Sequence, residues 1–455
     1  MRGLLPCVLV ASSTATTYQK AIADFYCDGT ADQVEIQQAI NSLPATGGIV
    51  MLTAGTFSMN TNSPITLVSN MLFLMNPATI IKLTANVGDN PKILSADTKT
   101  NIVIRGGILD GSKALQTVAV GIQAMCIQLL TCTDCWIDQV TTLNPGTNAA
   151  LSGYGIYLFT CLRTRVTHCL MNGAKRENFC HYWHSQDSIV SGNIAMNGED
   201  RNYVFHSSER CLFSNNVSLN ATGLGLCLTT EGIDNQFINN HFEGGSTDLF
   251  YVGPASLRNL FAGNTFNRSA RHGLYIEGTD NNVSGNFFND NTGAGLCLLA
   301  AGSYNNIIGN HFYNNGGYGG GHDEGIEING DYNTIVGNKF RKGASQLYAI
   351  RIMAGGDYNF ISENDFRDGG ITAAINNAGA NNIIRENVGW TTENKGKSTG
   401  TGAQQTIAHG LNITPTYVLL TDEDSGANPY QSAACDATNI YITAVNTKKW
   451  QWMAA

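Results

Sequence analysis

One short phrase, an aliphatic or aromatic residue running into a small or polar pair that ends in Asn, returns nine times from Asn193 to Asn387. The copies end at Asn193, Asn216, Asn240, Asn264, Asn286, Asn310, Asn338, Asn364 and Asn387, so they lie 22 to 28 residues apart. A repeat of that length marks a solenoid, whose units bury their apolar faces only against their neighbours. A second phrase precedes each Asn by 12 to 15 residues: GIYL from Gly155, GLCL from Gly225 and Gly295, GLYI from Gly273, GIEI from Gly325, AIRI from Ala349. Aliphatic residues alternate there with variable ones, which is the period of a strand with one buried face. Helical spacing is absent. The reading is therefore an all-β parallel β-helix of about ten coils, with Gly107 and His168 in the Asn slot of earlier coils.

The slot itself has a physical reason. Equivalent residues of adjacent coils stack at ~4.8 Å, and an inward amide offers both donor and acceptor to the amides above and below. The repeated Asn are thus expected to be structural, forming an inward ladder at one turn.

Composition agrees with a turn-rich β protein, since Gly is abundant at 50 residues and only 13% of residues are charged. A net charge of −9 argues against general nucleic-acid binding, which needs a positive footprint. No apolar run approaches the ~18 residues of a membrane-spanning helix. The 12 cysteines fall in strand-like runs without small-loop spacing, so they read as buried apolar residues rather than disulfides. A zinc site from Cys132 and Cys135 with Cys161, His168 and Cys169 is the weaker reading, because one CxxC lacks a matching second pair. Arg2 with Leu4 to Ala11 imitates a short leader, but Leu4 to Val10 reads better as a first strand; no cleaved signal peptide is expected.

Near the start, Asp28-Gly29-Thr30-Ala31-Asp32 precedes Ile36, Ala39 and Ile40 at helical spacing, followed by GGIVML from Gly47 and AGTF from Ala54. This is an amphipathic helix leading into the first strand, the cap that an open solenoid end requires. Together with Ile108-Leu109-Asp110-Gly111, these phrases resemble the pectate-lyase-like right-handed parallel β-helix superfamily, including phage tailspikes. The later Asn-rich coils resemble its carbohydrate-binding and sugar-hydrolase repeats. The resemblance spans roughly residues 20–390 and implies fold rather than reaction. It also implies a polysaccharide partner and a homotrimer.

After Trp390 the repeat stops. The expected organisation is an N-terminal strand and capping helix over 1–57, the β-helix over 58–390, a polar Gly-rich linker over 391–404 and a small β module over 405–455. That last module resembles small C-terminal modules of phage tail proteins; its alternating Trp450 and Trp452 read as a core edge or subunit contact ahead of a sugar platform.

Basic residues crowd between Arg163 and Arg210, interleaved with histidines, aromatics and carboxylates. Aligning Trp183-His184-Ser185 with Phe205-His206-Ser207 sets two imidazoles one coil apart. The candidate catalytic set is His181, His184, Tyr203, His206, Glu199, Asp200 and Glu209; the candidate substrate-binding set is Arg176, Trp183, Arg201 and Arg210. Imidazoles move protons at neutral pH, and arginines neutralise a uronate carboxylate so that its α-proton leaves more easily. Hydrolysis would instead need two carboxylates ~5 to 9.5 Å apart. A second group, Glu277, Asp323, Glu324, Glu327 and Arg351, reads as a salt-bridge ladder between Glu327 and Arg351. No cofactor is expected; calcium at Asp280-Asn281-Asn282 or Asp331-Tyr332-Asn333 is a minor reading, because Asx residues favour turns anyway.

The functional expectation is a virion-type or extracellular protein that binds a polysaccharide, with depolymerisation of an acidic glycan left as an open alternative. Its rivals are a non-enzymatic spike or adhesin, and a free polysaccharide lyase, C5-epimerase or glycosidase.

Overall fold

A computed structural model describes residues 6–117, 123–147, 153–317 and 322–455. Three parallel sheets wrap the chain into a β-helix of about 14 turns. Among the described residues the first sheet holds sixteen strands, ending at Ile383–Arg385; the second holds twelve, from Gly55–Met59 to Lys339–Arg341; the third holds thirteen, from Ile65–Thr66 to Ala373–Asn377. Successive coils pair in parallel through each sheet, as in Ile189–Ser191 on Leu212–Ser214. The expected ten coils fall short because early coils fill the Asn slot with other residues. Gly107 does hold that slot, followed by Val140 and Cys169, whose carbonyls receive the same backbone bonds. His168 sits one position earlier, aligned with Gly192, so its expected place was wrong by one residue.

All nine repeated Asn form one inward ladder, eight of them buried and Asn387 half-buried at the open end. Each side-chain oxygen accepts the backbone N–H of the preceding Asn at 2.8 to 2.9 Å, from Asn193 on Asn216 to Asn364 on Asn387. A second ladder, at Asn235, Asn259, Asn281, Asn305, Asn333 and Asn359, does the same at the opposite end of the first sheet. Asn281 and Asn333 are therefore committed to the interior, which removes them from the two segments weighed for calcium.

Between the ladders the core is apolar and stacked. Phe242, Phe266, Phe288, Phe312 and Phe340 lie face to face at 4.7 to 5.4 Å, one per coil of the second sheet. Aromatic pairs of this kind add about 0.5–1.5 kcal/mol each beyond their area burial.

The N-terminal cap is the helix Gln33–Asn41, which buries Ile36, Ala39 and Ile40 on the first coil. Asp32 fixes its approach, accepting N–H groups from Gly29 at 2.8 Å and Ser58 at 2.7 Å. The first strand is Cys7–Ala11; Leu4 and Leu5 lie outside the described residues. At the other end, two three-stranded antiparallel sheets enclose Trp450, Trp452, Ile440 and Ile442. The segment read as a linker contributes to them: Asn394–Thr399 pairs along its whole length with Lys449–Ala454. Polar composition misled there, because only alternate residues of that edge strand face inward.

All 12 cysteines are free, ten of them buried. Burial pushes the Cys161 and Cys169 thiols up to about 12. His168 lies outside, on Asp138 at 3.2 Å, so it does not converge with Cys132, Cys135, Cys161 and Cys169.

Candidate functional site

The register of the third sheet stacks its outward residues in three rows, the first two separated by three residues along each strand and the last two by two. Tyr154, Glu177 and Arg201 are neighbours in the first row. Tyr157, Cys180, Val204, Cys227, Tyr251 and Tyr275 make the second, and Phe159, Tyr182, His206 and Thr229 the third. Over these coils the outer face is thus aromatic and charged, and it hollows into a cleft of about 410 Å³ lined by Tyr154, Tyr157, Arg176, Glu177, Tyr182, Arg201 and His206.

Glu177 is the electrostatic centre. It is only 2% exposed and lies between Arg176 Nε at 3.1 Å and Arg201 Nη1 at 3.2 Å. Burial pushes its carboxyl up to about 7 against the pull of both guanidiniums. Its Oε2 and the Nε of Arg201 have no hydrogen-bond partner among the described residues. Arg176 also donates to Tyr154 Oη at 2.8 Å. Burial raises the Tyr154, Tyr157 and Tyr182 phenols above their ordinary value, which keeps them protonated as donors. The His206 ring lies 4.3 Å from that of Tyr182 and 5.5 Å from that of Trp183. Burial lowers its pKa, with His184 adding to the effect, so the imidazole is neutral near pH 7. A neutral imidazole, protonated phenols and two guanidiniums on an aromatic floor can clamp a carboxylate, accept one proton and donate another.

The structure divides the expected constellation. Arg176, Arg201, Trp183 and His206 meet at this cleft, with His184 exposed on its rim and Asp200 at 3.4 Å from Arg201. His181 and Tyr203 do not: both are wholly buried on the inner face, where His181 bonds Ser208 at 2.7 Å. They share the inner rows with Phe179 and Phe205, so neither can touch a substrate. His206 faces Tyr182 rather than His184, because the turn after Tyr182 carries one extra residue before Gln186 pairs with Glu209. Glu199 is held elsewhere by Lys113 and Lys175, both at 2.6 Å. Arg210 and Glu209 belong to a turn at the edge of the first sheet, where Arg210 grips Asp187 at 2.7 Å. The candidate sets drawn from the sequence omitted Tyr154, Tyr157, Glu177 and Tyr182; the alternation of Tyr157 with Phe159 was the signal for Tyr157, whereas Tyr154, three residues earlier, breaks that alternation.

The second group gathers farther along the same face. Tyr251 donates to Glu277 at 2.9 Å, Arg271 pairs with Asp248 at 2.9 Å and His322 with Glu327 at 2.5 Å. Glu327 and Arg351 do share a slot, but the 3.0 Å ion pair of Arg351 is to Glu324, which burial raises to about 8. Asp323 instead accepts the Gly317 N–H at 2.6 Å.

A family model described as "Periplasmic copper-binding protein (NosD)" matches residues 136–320. The tailspike protein of E. coli bacteriophage HK620, solved with a pentasaccharide, superposes with a TM-score of 0.58 at 13% identity, covering 93% of this chain and 89% of its own. The A-module of the Azotobacter vinelandii mannuronan C-5 epimerase AlgE6 gives 0.56 at 18% identity, over 79% of this chain and 96% of that one. The Dettilon tailspike protein gives 0.50 at 16% identity, over 98% and 94%. These likenesses are of fold: tailspikes and alginate epimerases are right-handed parallel β-helices, as this chain is. No curated protein matches the sequence.

Proposed function

We propose that this chain is an extracellular or virion-borne polysaccharide-binding β-helix, and that the third-sheet cleft takes a uronate-bearing glycan. The observation that carries the reading is the Arg176–Glu177–Arg201 cluster, which opens between tyrosines and beside a neutral His206. Pyranose rings pack their C–H faces on aromatic side chains, and a guanidinium binds a carboxylate in two parallel bonds. With its carboxylate so neutralised, a uronate loses its C5 proton more readily. His206 accepts that proton. A protonated tyrosine then either gives its proton to the departing O4, leaving a C4–C5 double bond, or returns one to C5 from the opposite side, inverting it.

Hydrolysis is the second reading, favoured by Glu177 and Asp200 lying within 3.4 Å of the same Arg201 nitrogen. Three copies of the chain associating through the module after residue 393 complete the proposal, which fits the tailspikes among its structural neighbours. The deciding experiment incubates the protein with polyuronates. Elimination yields unsaturated ends absorbing in the near ultraviolet, and epimerisation yields inverted C5 signals by NMR; both vanish in His206→Ala. New reducing ends without absorbance, lost in Glu177→Gln, mean hydrolysis. Binding without any product means an adhesin, and no binding across a broad glycan panel refutes the proposal.

A further inference from the structure

A second concave surface lies on a different side of the solenoid, on the outer face of the first sheet. Val103, Trp136, Arg165 and Ile189 share one outward row over four successive coils. Asn101, Asp134, Trp136, Arg163, Arg165 and Asp187 line a cleft of about 430 Å³ there.

Its parts are held in place. The Trp136 indole N–H donates to Thr167 Oγ1 at 2.7 Å, and that hydroxyl donates to Asp138 Oδ1 at 2.7 Å. Asp138 is 4% exposed and is also gripped by Arg105 at 3.0 Å and His168 at 3.2 Å. Arg105 in turn lies 4.7 Å from the indole centroid. The indole is therefore a rigid wall rather than a loose surface ring. Along the edge, Arg163 and Asp134 make a two-bond pair at 2.7 and 2.8 Å, which aims the carboxylate and guanidinium along the cleft rim. Arg165 is different: its side chain is exposed and makes no ion pair with any described residue. A fixed indole, carboxylates that accept hydroxyl protons and one free guanidinium are what a sugar ring with an anionic substituent requires.

We propose that this cleft is a second saccharide site, distinct from the third-sheet cleft. A single sugar ring packs against Trp136, its hydroxyls donate to Asp134 and Asp187, and its carboxylate or sulfate ester sits on Arg165. The assignment rests on these residues alone and does not need the third-sheet reading.

Isothermal titration of the full chain with trigalacturonic acid, a sulfated trisaccharide and neutral maltotriose tests it. Two anionic trisaccharides should bind per chain, with maltotriose at least about tenfold weaker at the Trp136 site, the loss expected for one charge-assisted contact. Trp136→Ala should remove one of the two. Arg165→Glu, which alters only an exposed side chain, should weaken the same one about tenfold or more. Tyr157→Ala with Tyr182→Ala should remove the other. Whichever anion binds tighter identifies the substituent. If Trp136→Ala and Arg165→Glu leave the isotherm unchanged while the tyrosine pair abolishes it, the second site is refuted and the first stands. Loss of all binding in Trp136→Ala, with none lost in the tyrosine variant, upholds the second and refutes the first. No saturable binding of any anionic trisaccharide to the wild type refutes the proposal.

Discussion

Replacing Asn264 with Leu removes one rung from the middle of the amide ladder. The Asn264 oxygen accepts both the backbone N–H and the side-chain amide of Asn240, each at 2.9 Å. Its own amide donates to the Phe237 carbonyl at 2.8 Å and to Asn286 at 3.0 Å. After the substitution the Asn240 amide keeps Phe213, at 3.0 Å, and Asn286 keeps the backbone N–H of residue 264, at 2.8 Å. The Asn240 N–H and the Phe237 carbonyl have lost these partners. Two buried groups left unsatisfied cost about 2 to 6 kcal/mol in total, and the buried leucine offsets about 2 kcal/mol of that. The expected net loss is about 0 to 4 kcal/mol, centred near 2, measured by urea unfolding with hydrogen exchange read at the Asn240 amide. Wild-type protection of that amide, with no loss of stability, would refute the ladder as a source of stability.

Phe266→Ala, which empties a position stacked on both sides, should cost about 3–5 kcal/mol by the same assay. Glu177 contributes a pH dependence of definite sign. Its folded pKa, about 7, exceeds the ordinary 4.5, so its contribution is complete below the ordinary value and is lost as pH rises through about 7. Glu177→Gln should therefore gain stability relative to wild type between pH 5 and pH 8, and an unchanged difference would contradict the assignment. Light scattering should give three chains per particle, and a mass near 48.8 kDa would exclude the trimer. Deleting residues 394–455 should reduce assembly yet leave the coils folded by circular dichroism, since solenoid coils depend on their neighbours. Loss of the β signal would show that the coils need the module.

The solenoid was legible because its period is carried by residues with one structural use. An inward Asn at a turn is hard to replace once its neighbours are Asn, so the phrase persists from Asn193 to Asn387. Earlier coils escaped counting because Val140 and Cys169 fill the slot without an amide ladder. The second ladder has nearly the same spacing, but Asn281 and Asn333 sit beside Asp280 and Tyr332, where an Asx turn explains them equally well. The site was legible only as a density of charge. Whether a histidine points in or out depends on strand parity, and one extra residue after Tyr182 was enough to misplace His206. Arg163 and Arg210 matched Arg176 and Arg201 in sequence terms, yet the first pair stand at turn positions with φ near 50°, on another side of the coil. Those left-handed turns let Arg163 meet Asp134 and Arg210 meet Asp187 in a surface ladder, whose exposed pairs contribute little each.

A crystal structure of the full chain with an oligouronate would show whether the outer face of the third sheet holds an acidic glycan. Sugar rings should lie on Tyr157 and Tyr182, with one carboxylate bonded by Arg176 or Arg201 and a C5 hydrogen directed at His206. An ordered oligouronate on another surface, with this cleft left to solvent, would contradict it.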